Sequence, residues 1–327
     1  MSEFLVDIED FRNDVLVDDD NEDIDVISTG SLSLDISIGT GGIPKGRITE
    51  IYGAESSGKT TLCLNIAKEA HKAGDNILYI DPEIGVDYKY AKRIIGDFEK
   101  GEFYLLQPKT AEDCFEMAER GITSGKFGLI IFDSIGALLP EKEMDDDFTD
   151  TNVALTARHL RKFCSRNAFE IKKSNVAFVF INQVRANIGA YHGGYSTPGG
   201  YALKHFASII VFLSKGTEIK QDNETIGIST KFTIKKNKLG VPFRSFYLPI
   251  LFNKGVDYVR DVIDFASTWE IINRRGSYYT FEGETMAQGM NNTVKYLEEN
   301  ENTLDKIVEL CYNKFEIENP KRKEEVE

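Results

Sequence analysis

Unbroken apolar runs alternate with segments of helical spacing from Ile48 to about Gln183. "ITEIYG" reads as a strand ending at Gly53, and "TTLCLNIAKEAHKAG" as a helix stopped at Gly74. "NILYID", "FYLLQP", "FGLIIFDSI" and "VAFVFIN" predict further strands. "DYKYAKRII", "TAEDCFEMAERGI" and "NVALTARHLRKFCSRNAFEIKKS" predict the helices between them. Strands that are apolar at nearly every position, separated by helices, indicate an α/β fold with a mostly parallel central sheet covered on both faces. Then the pattern changes. "ASIIVFLSK", "STKFTIKKNK" and "FRSFYLPILF" follow in succession and predict antiparallel additions to the sheet. From about Tyr258 to Phe315, helix-strand-helix patterns recur with their own apolar positions, which predicts a small C-terminal α/β domain.

Length fits this division, since 327 residues is long for one domain. The expected units are an acidic N-terminal segment (1–30), a core (31–257), the small domain (258–316) and a charged tail (317–327). No apolar run is long enough to cross a bilayer, and the acidic start is unlike a signal or transit peptide. Cys63, Cys114, Cys164 and Cys311 are far apart and form no CxxC pair, which reads as a reduced, cytoplasmic chain without disulfides or a zinc site. The net charge of −14 argues at first against a nucleic-acid partner. Its distribution removes that objection. Residues 1–25 hold eleven acids and one Arg, or −10, which leaves −4 for the other 302 residues. Residues 151–200 hold seven Lys/Arg and one Glu, a local +6. Arg158, Lys162 and Arg166 recur every four residues with Arg161 beside them, a basic helix face suited to a phosphate backbone or simply to solvent.

"GAESSGKT" fits GxxxxGK[ST] and lies between a predicted strand and a predicted helix, the context this motif requires. Gly53, Glu55, Ser56, Ser57, Gly58, Lys59 and Thr60, with Thr61 next, form the candidate phosphate cradle for ATP. Backbone N–H groups wrap the phosphates and the helix N-terminus favours the anion. Lys59 is expected on the β- and γ-phosphates and Thr60 on Mg²⁺. Asp133, at the tip of "LIIFDS", is the expected second metal-site residue; a helix N-cap is the alternative for it. Glu83, just past the tip of "LYIDPE", is the candidate general base, and Asp81 is taken as structural. Gln183 ends another apolar strand, where its amide would reach a γ-phosphate. Five glycines and three tyrosines follow between Gly189 and Tyr201, and no charged side chain stands between Arg185 and Lys204. Glycines let the backbone approach phosphates and tyrosines stack on bases, so this loop suits single-stranded nucleic acid, ordered or released by the state of Gln183.

Six ordered stretches together resemble the RecA recombinase family, its bacterial and phage branch. They are "STGSLSLDISIGTGGIPKGRITEIYGAESSGKTTL", "YIDPEIGVDYKYA", "IIFDSIGALLP", "FVFINQVRANIG", "GGYALKHFAS" and "IKKNKLGVPF". The resemblance covers about Val26 to Phe315. It implies a RecA-like P-loop ATPase core and a protein that polymerises on single-stranded DNA with ATP between subunits. Such a filament pairs with homologous duplex DNA and exchanges strands, with DNA-stimulated ATP hydrolysis. By motif match Glu83 is the catalytic glutamate and Gln183 the γ-phosphate sensor. Asp87 and Tyr90 contact adenine, and Lys236 and Lys238 reach ATP across the subunit interface. Two DNA-binding loops are implied at about 140–152 and 187–200, with Arg158, Arg161, Arg185, Asn187, Gly193, Gly199 and Gly200 as DNA contacts. Single-strand-binding and loader proteins are implied as further partners. The chain departs from the pattern in the acidic "EKEMDDDFTD" of the first loop, in His205 where Phe is common, in Pro82, and in its short acidic start, which suits a phage-encoded version. An accessory ATPase that binds or loads filaments without strand exchange is the alternative. A hexameric helicase-class motor is a third possibility, but it would lack the "NQVRANIG" and "GGYALK" stretches.

Overall fold

The computed structural model describes residues 24–144, 153–186, 195–196, 198–214, 216–221 and 223–320. Six strands of its main sheet run parallel, in the spatial order Ile209–Leu213, Ile48–Gly53, Ala177–Gln183, Leu129–Phe132, Ile77–Ile80, Phe103–Leu106. Glu224–Asn237, Ser245–Leu251 and Gly255–Val256 extend the sheet antiparallel beyond Ile209–Leu213. The central strands alternate between two cores, as a period of two requires. Ile77, Tyr79, Leu129, Ile131, Ala177 and Val179 face the helices Lys59–Lys72 and Tyr88–Ile95. Leu78, Ile80, Ile130, Phe132, Phe178 and Phe180 face the helices Ala111–Ser124 and Val153–Lys173.

One expectation is corrected, and one strand is added to those the sequence predicts. The Ile209–Leu213 strand is parallel to Ile48–Gly53, not an antiparallel addition. The chain leaves the sheet after Gln183 and comes back through the helix Ala202–Phe206 to the end of the sheet from which Ile48 starts, so the next strand enters in the same direction. A further strand, Thr217–Gln221, pairs among the described residues only with Glu224–Asn237. Ile219 is its single buried residue, so it carries no apolar run to read.

The C-terminal unit packs the helices Tyr258–Thr268, Met290–Glu299 and Glu301–Lys314 with a three-stranded antiparallel sheet, Asn273–Arg275, Tyr278–Phe281 and Glu284–Gln288. Its core includes Leu32 and Ile36 from the wholly buried helix Leu32–Ile38, whose Leu34 and Ile38 belong to the main core. That helix therefore joins the two units. Asp261 fixes it, accepting from Ser31 Oγ at 2.8 Å, Ser33 N at 3.0 Å and Ser33 Oγ at 2.5 Å. On its other side Asp35 accepts from Ser28 Oγ, Thr29 Oγ1 and Thr29 N. Burial outweighs these hydrogen bonds and raises Asp35 to about 7 and Asp261 to about 6.

Candidate nucleotide and nucleic-acid site

The phosphate loop leaves the sheet at Gly53, which lies between Gln183 on one side and Leu213 on the other. A Cβ on Gly53 would collide with the Leu213 carbonyl, and Gly58 caps the following helix at φ 88°. Lys59 is buried and donates to the carbonyls of Gly53 (3.1 Å) and Ala54 (2.8 Å). Burial lowers its pKa, and the Asp133 and Glu83 carboxylates oppose that shift. Among the described residues the buried Ser57 hydroxyl has no hydrogen-bond partner, while Thr230 Oγ1 donates to the Ser57 carbonyl. A buried cation held only by loop carbonyls, together with an unpaired hydroxyl, fits a phosphate group. Glu55 and Ser56 are exposed at the tip of the loop.

Thr60 Oγ1 donates to Asp133 Oδ2 at 2.8 Å, and Tyr79 OH donates to the same oxygen at 2.7 Å. Burial raises the Asp133 carboxyl to about 6; these two donors pull it down, and Glu83 and Asp81 push it up. A hydroxyl and a carboxylate brought together at the phosphate loop fit a magnesium ion. The N-cap alternative for Asp133 does not hold, because Ser134 is the residue that precedes the 3₁₀ turn Ile135–Ala137.

Glu83 is exposed. Its carboxylate accepts from Ser134 Oγ at 2.9 Å and from Gln183 Nε2 at 3.1 and 3.2 Å. The candidate base and the candidate sensor are thus in direct contact. Asp81 is buried and holds the turn beneath them, accepting from Gly85 N, Val86 N and Gln107 Nε2, a structural role as expected. Asp87 caps the helix Tyr88–Ile95 by accepting from Tyr90 N, and Tyr90 OH meets Thr61 Oγ1 at 2.7 Å. These contacts bring Thr61, Asp87 and Tyr90 to one side of the phosphate loop.

One buried pair escaped the sequence. Asn182 Nδ2 donates to Glu50 Oε1 at 3.0 Å and to the Pro198 carbonyl at 3.1 Å, which ties the end of the loop after Gln183 to the sheet. The available signal was a lone carboxylate inside "ITEIYG". Burial raises the pKa of Glu50, and Asn182, Lys204 and Lys236 oppose the rise.

Lys236 and Lys238 lie far from Lys59. Lys236 stands opposite Ile210, which stands opposite Glu50. Glu50 is three residues before Gly53, about 10 Å along the strand. Both ammonium groups bind backbone carbonyls there, Lys236 those of Lys204 (2.6 Å) and His205 (3.2 Å), and Lys238 that of His205 (3.4 Å). They take no part in the phosphate loop of their own chain.

A groove of about 730 Å³ is lined by Arg158, Arg161, Gly199, Tyr201, His205 and Phe206, among others. Tyr201 is 73% exposed, and Lys204 Nζ lies 4.8 Å from its ring centroid. Gly199 (φ 83°) packs so closely on Leu160 that a Cβ would stand 2.5 Å from its side chain. Gly200 follows at φ 65°. The basic helix stripe is not one surface, which corrects the expectation. Arg158 and Arg161 face the groove, whereas Arg166 pairs with Glu119 at 3.8 Å and Lys162 lines a separate pocket with Glu112, Glu116 and Glu119. Arg185 lies in a two-stranded ribbon with Tyr195–Ser196. Asn187, Gly193 and residues 145–152 of the first loop lie outside the described residues. Among the described residues no helix is long and apolar enough to cross a membrane.

Models of the RecA N-terminal domain and the RecA C-terminal domain match residues 11–257 and 260–316. Three similar proteins are each named Protein RecA. The one from Acinetobacter baylyi is 39% identical over 278 residues, 85% of this chain and 79% of the relative. That of Clostridioides difficile is 39% identical over 294 residues, 89% and 84% of the two chains. A Campylobacter jejuni relative is 38% identical over 307 residues, 93% and 88%.

Proposed function

Because the chain belongs to the RecA family, we propose that it is a DNA-dependent ATPase that forms helical filaments on single-stranded DNA and exchanges strands with homologous duplex. The observation that carries the ATPase reading is the convergence of Lys59, Thr60, Asp133, Glu83 and Gln183 on the ends of adjacent parallel strands. Lys59 exchanges the Gly53 and Ala54 carbonyls for the β- and γ-phosphates, with the loop N–H groups around them. Thr60 and Asp133 hold magnesium, which supplies charge neutralisation on the phosphate oxygens. Glu83 accepts the proton of the attacking water. Gln183 moves its amide from Glu83 to the γ-phosphate and so couples nucleotide state to the loop that begins at Asn187. Thr61, Asp87 and Tyr90 are assigned to the adenosine side.

Lys236 and Lys238 act on the nucleotide of a neighbouring subunit. Their position at the opposite end of the strands supports this role, since they have no route to Lys59 of their own chain. Arg158, Arg161, Gly199 and Gly200 bind the DNA backbone, and Arg185, Asn187 and Gly193 extend that contact. The competing reading is an accessory ATPase that loads filaments without exchange; it draws on the acids of residues 141–150 and on His205. ATP turnover measured with and without single-stranded DNA, alongside electron microscopy of the same mixtures, tests the proposal. Stimulated turnover with helical filaments is expected. DNA-independent turnover by rings or monomers would refute it.

A further inference from the structure

Glu83 is a side chain in an exposed turn, yet a general base must hold one orientation. Two donors hold its carboxylate among the described residues, and they differ in kind. Ser134 is fully buried and directly follows Asp133 at the tip of the Leu129–Phe132 strand. Its carbonyl accepts from Ala137 N at 3.2 Å and the preceding Asp133 N donates to the Ile80 carbonyl at 2.9 Å, so its backbone is held by the turn on one side and by its neighbour's bond to the sheet on the other. It has one contact on the carboxylate, Oγ to Oε2 at 2.9 Å. Gln183 is half-buried at the last position of its strand, and its single Nε2 straddles Oε1 (3.1 Å) and Oε2 (3.2 Å). While it does so, neither oxygen is free of a donor.

We propose that Ser134 is the positioning residue of Glu83, holding Oε2 throughout turnover, and that Gln183 blocks Oε1 until the γ-phosphate draws its amide away. This rests on the reading of Glu83 as the base. Once Gln183 has moved, Oε2 keeps the Ser134 hydrogen bond and Oε1 is the oxygen that accepts a proton. The water proton passes to Oε1 as the water oxygen bonds to γ-phosphorus and the bond to the β-phosphate oxygen breaks. The strand tip then serves both poles of the reaction, with Asp133 on the metal side and Ser134 on the base side. Ser134 touches no reacting atom itself.

The test is a double-mutant cycle. Ser134→Ala is made with Glu83 present and in the Glu83→Gln background. Each protein is assayed for turnover on single-stranded DNA, for the ATP dependence of that turnover, and for affinity toward a fluorescent ATP analogue. With Glu83 present, kcat is expected to fall about tenfold, the size expected for losing one hydrogen bond to a charged group. KM and analogue affinity should stay within about twofold. In the Glu83→Gln background Ser134→Ala should produce no further loss. An equal loss in both backgrounds, an unchanged kcat, or a loss confined to nucleotide affinity would overturn the proposal. Glu83→Gln turning over at the parental rate would instead remove the base assignment on which it stands. Should Ser134→Ala fail to fold, Ser134→Cys, a weaker donor, carries the same comparison and should give a smaller loss in kcat alone.

Discussion

Replacing Asp261 by Asn should make the protein more stable at pH 8 and less stable at pH 4.5, relative to the parent at each pH. The buried Asp261 carboxyl has its pKa raised from 3.8 to about 6. Unfolded, the same group ionises near 3.8. Between these values the folded state binds more protons than the unfolded state, so stability falls as pH rises through the window and levels off above it. A shift of about two units corresponds to about 3 kcal/mol between the two ends of the window. Asn carries no titratable proton. It keeps one oxygen to accept from Ser33 N, but its amide must rely on rotation of the Ser31 and Ser33 hydroxyls to act as acceptors. That exchange costs about 1–2 kcal/mol at every pH. At pH 4.5 about 1 kcal/mol of the titration cost is already present, so the net expectation is about 1–2 kcal/mol of stabilisation at pH 8 and at most about 1 kcal/mol of destabilisation at pH 4.5. Thermal unfolding of both proteins across this range measures it. Asp35 and Asp133 also titrate there, but they are common to both proteins and cancel in the difference. The difference between the two proteins changes by about 2 kcal/mol from pH 4.5 to pH 8, so at roughly 2 °C per kcal/mol for a chain of this size the Tm difference should move by about 4 °C in favour of Asn as pH rises. A Tm difference that is flat with pH, or that moves the other way, would refute the reasoning.

Gly58→Ala would place a methyl 2.5 Å from Ile250 Cδ1 at φ 88°; nucleotide binding should be lost together with about 1–2 kcal/mol of stability, read by analogue titration and melting. A Lys236→Ala, Lys238→Ala chain should bind the ATP analogue normally and lose DNA-stimulated turnover. Mixing it with Lys59→Ala chains should restore part of that turnover, because one chain supplies the phosphate loop and the other the lysines; no recovery would count against action in trans. Arg158→Ala or Arg161→Ala should each lower the salt slope of single-stranded DNA binding by about 0.7. Arg166→Ala, already paired with Glu119, should leave that slope unchanged.

The central strands were legible because they are buried on both faces, so Leu129–Phe132 and Ala177–Gln183 stand out as continuous apolar runs. The phosphate loop was legible because its chemistry is local, with glycines, lysine and threonine within eight residues. Contacts between distant segments were not. Nothing in "ITEIYG" announces that Glu50 will meet Asn182, and nothing in "FDSI" says that Ser134 will hold Glu83. Arg158, Lys162 and Arg166 look equivalent by spacing, and only the acidic face of the Ala111–Ser124 helix separates them. The direction of Ile209–Leu213 depends on where the preceding loop sends the chain, which periodicity does not record.

The separation of Lys59 from Lys236 and Lys238 along the same strands has a consequence for counting. Where the lysines complete a neighbour's site, an open array of subunits contains one fewer finished site than it has members, and the terminal subunit always lacks its second half. A lone subunit has none. Specific activity should then climb with array length toward a plateau, steeply for the shortest assemblies and hardly at all for long ones. Dilute protein would hold ATP without consuming it, and one end of every array would remain charged with unhydrolysed nucleotide, chemically distinct from the other end although the two are built from the same chain.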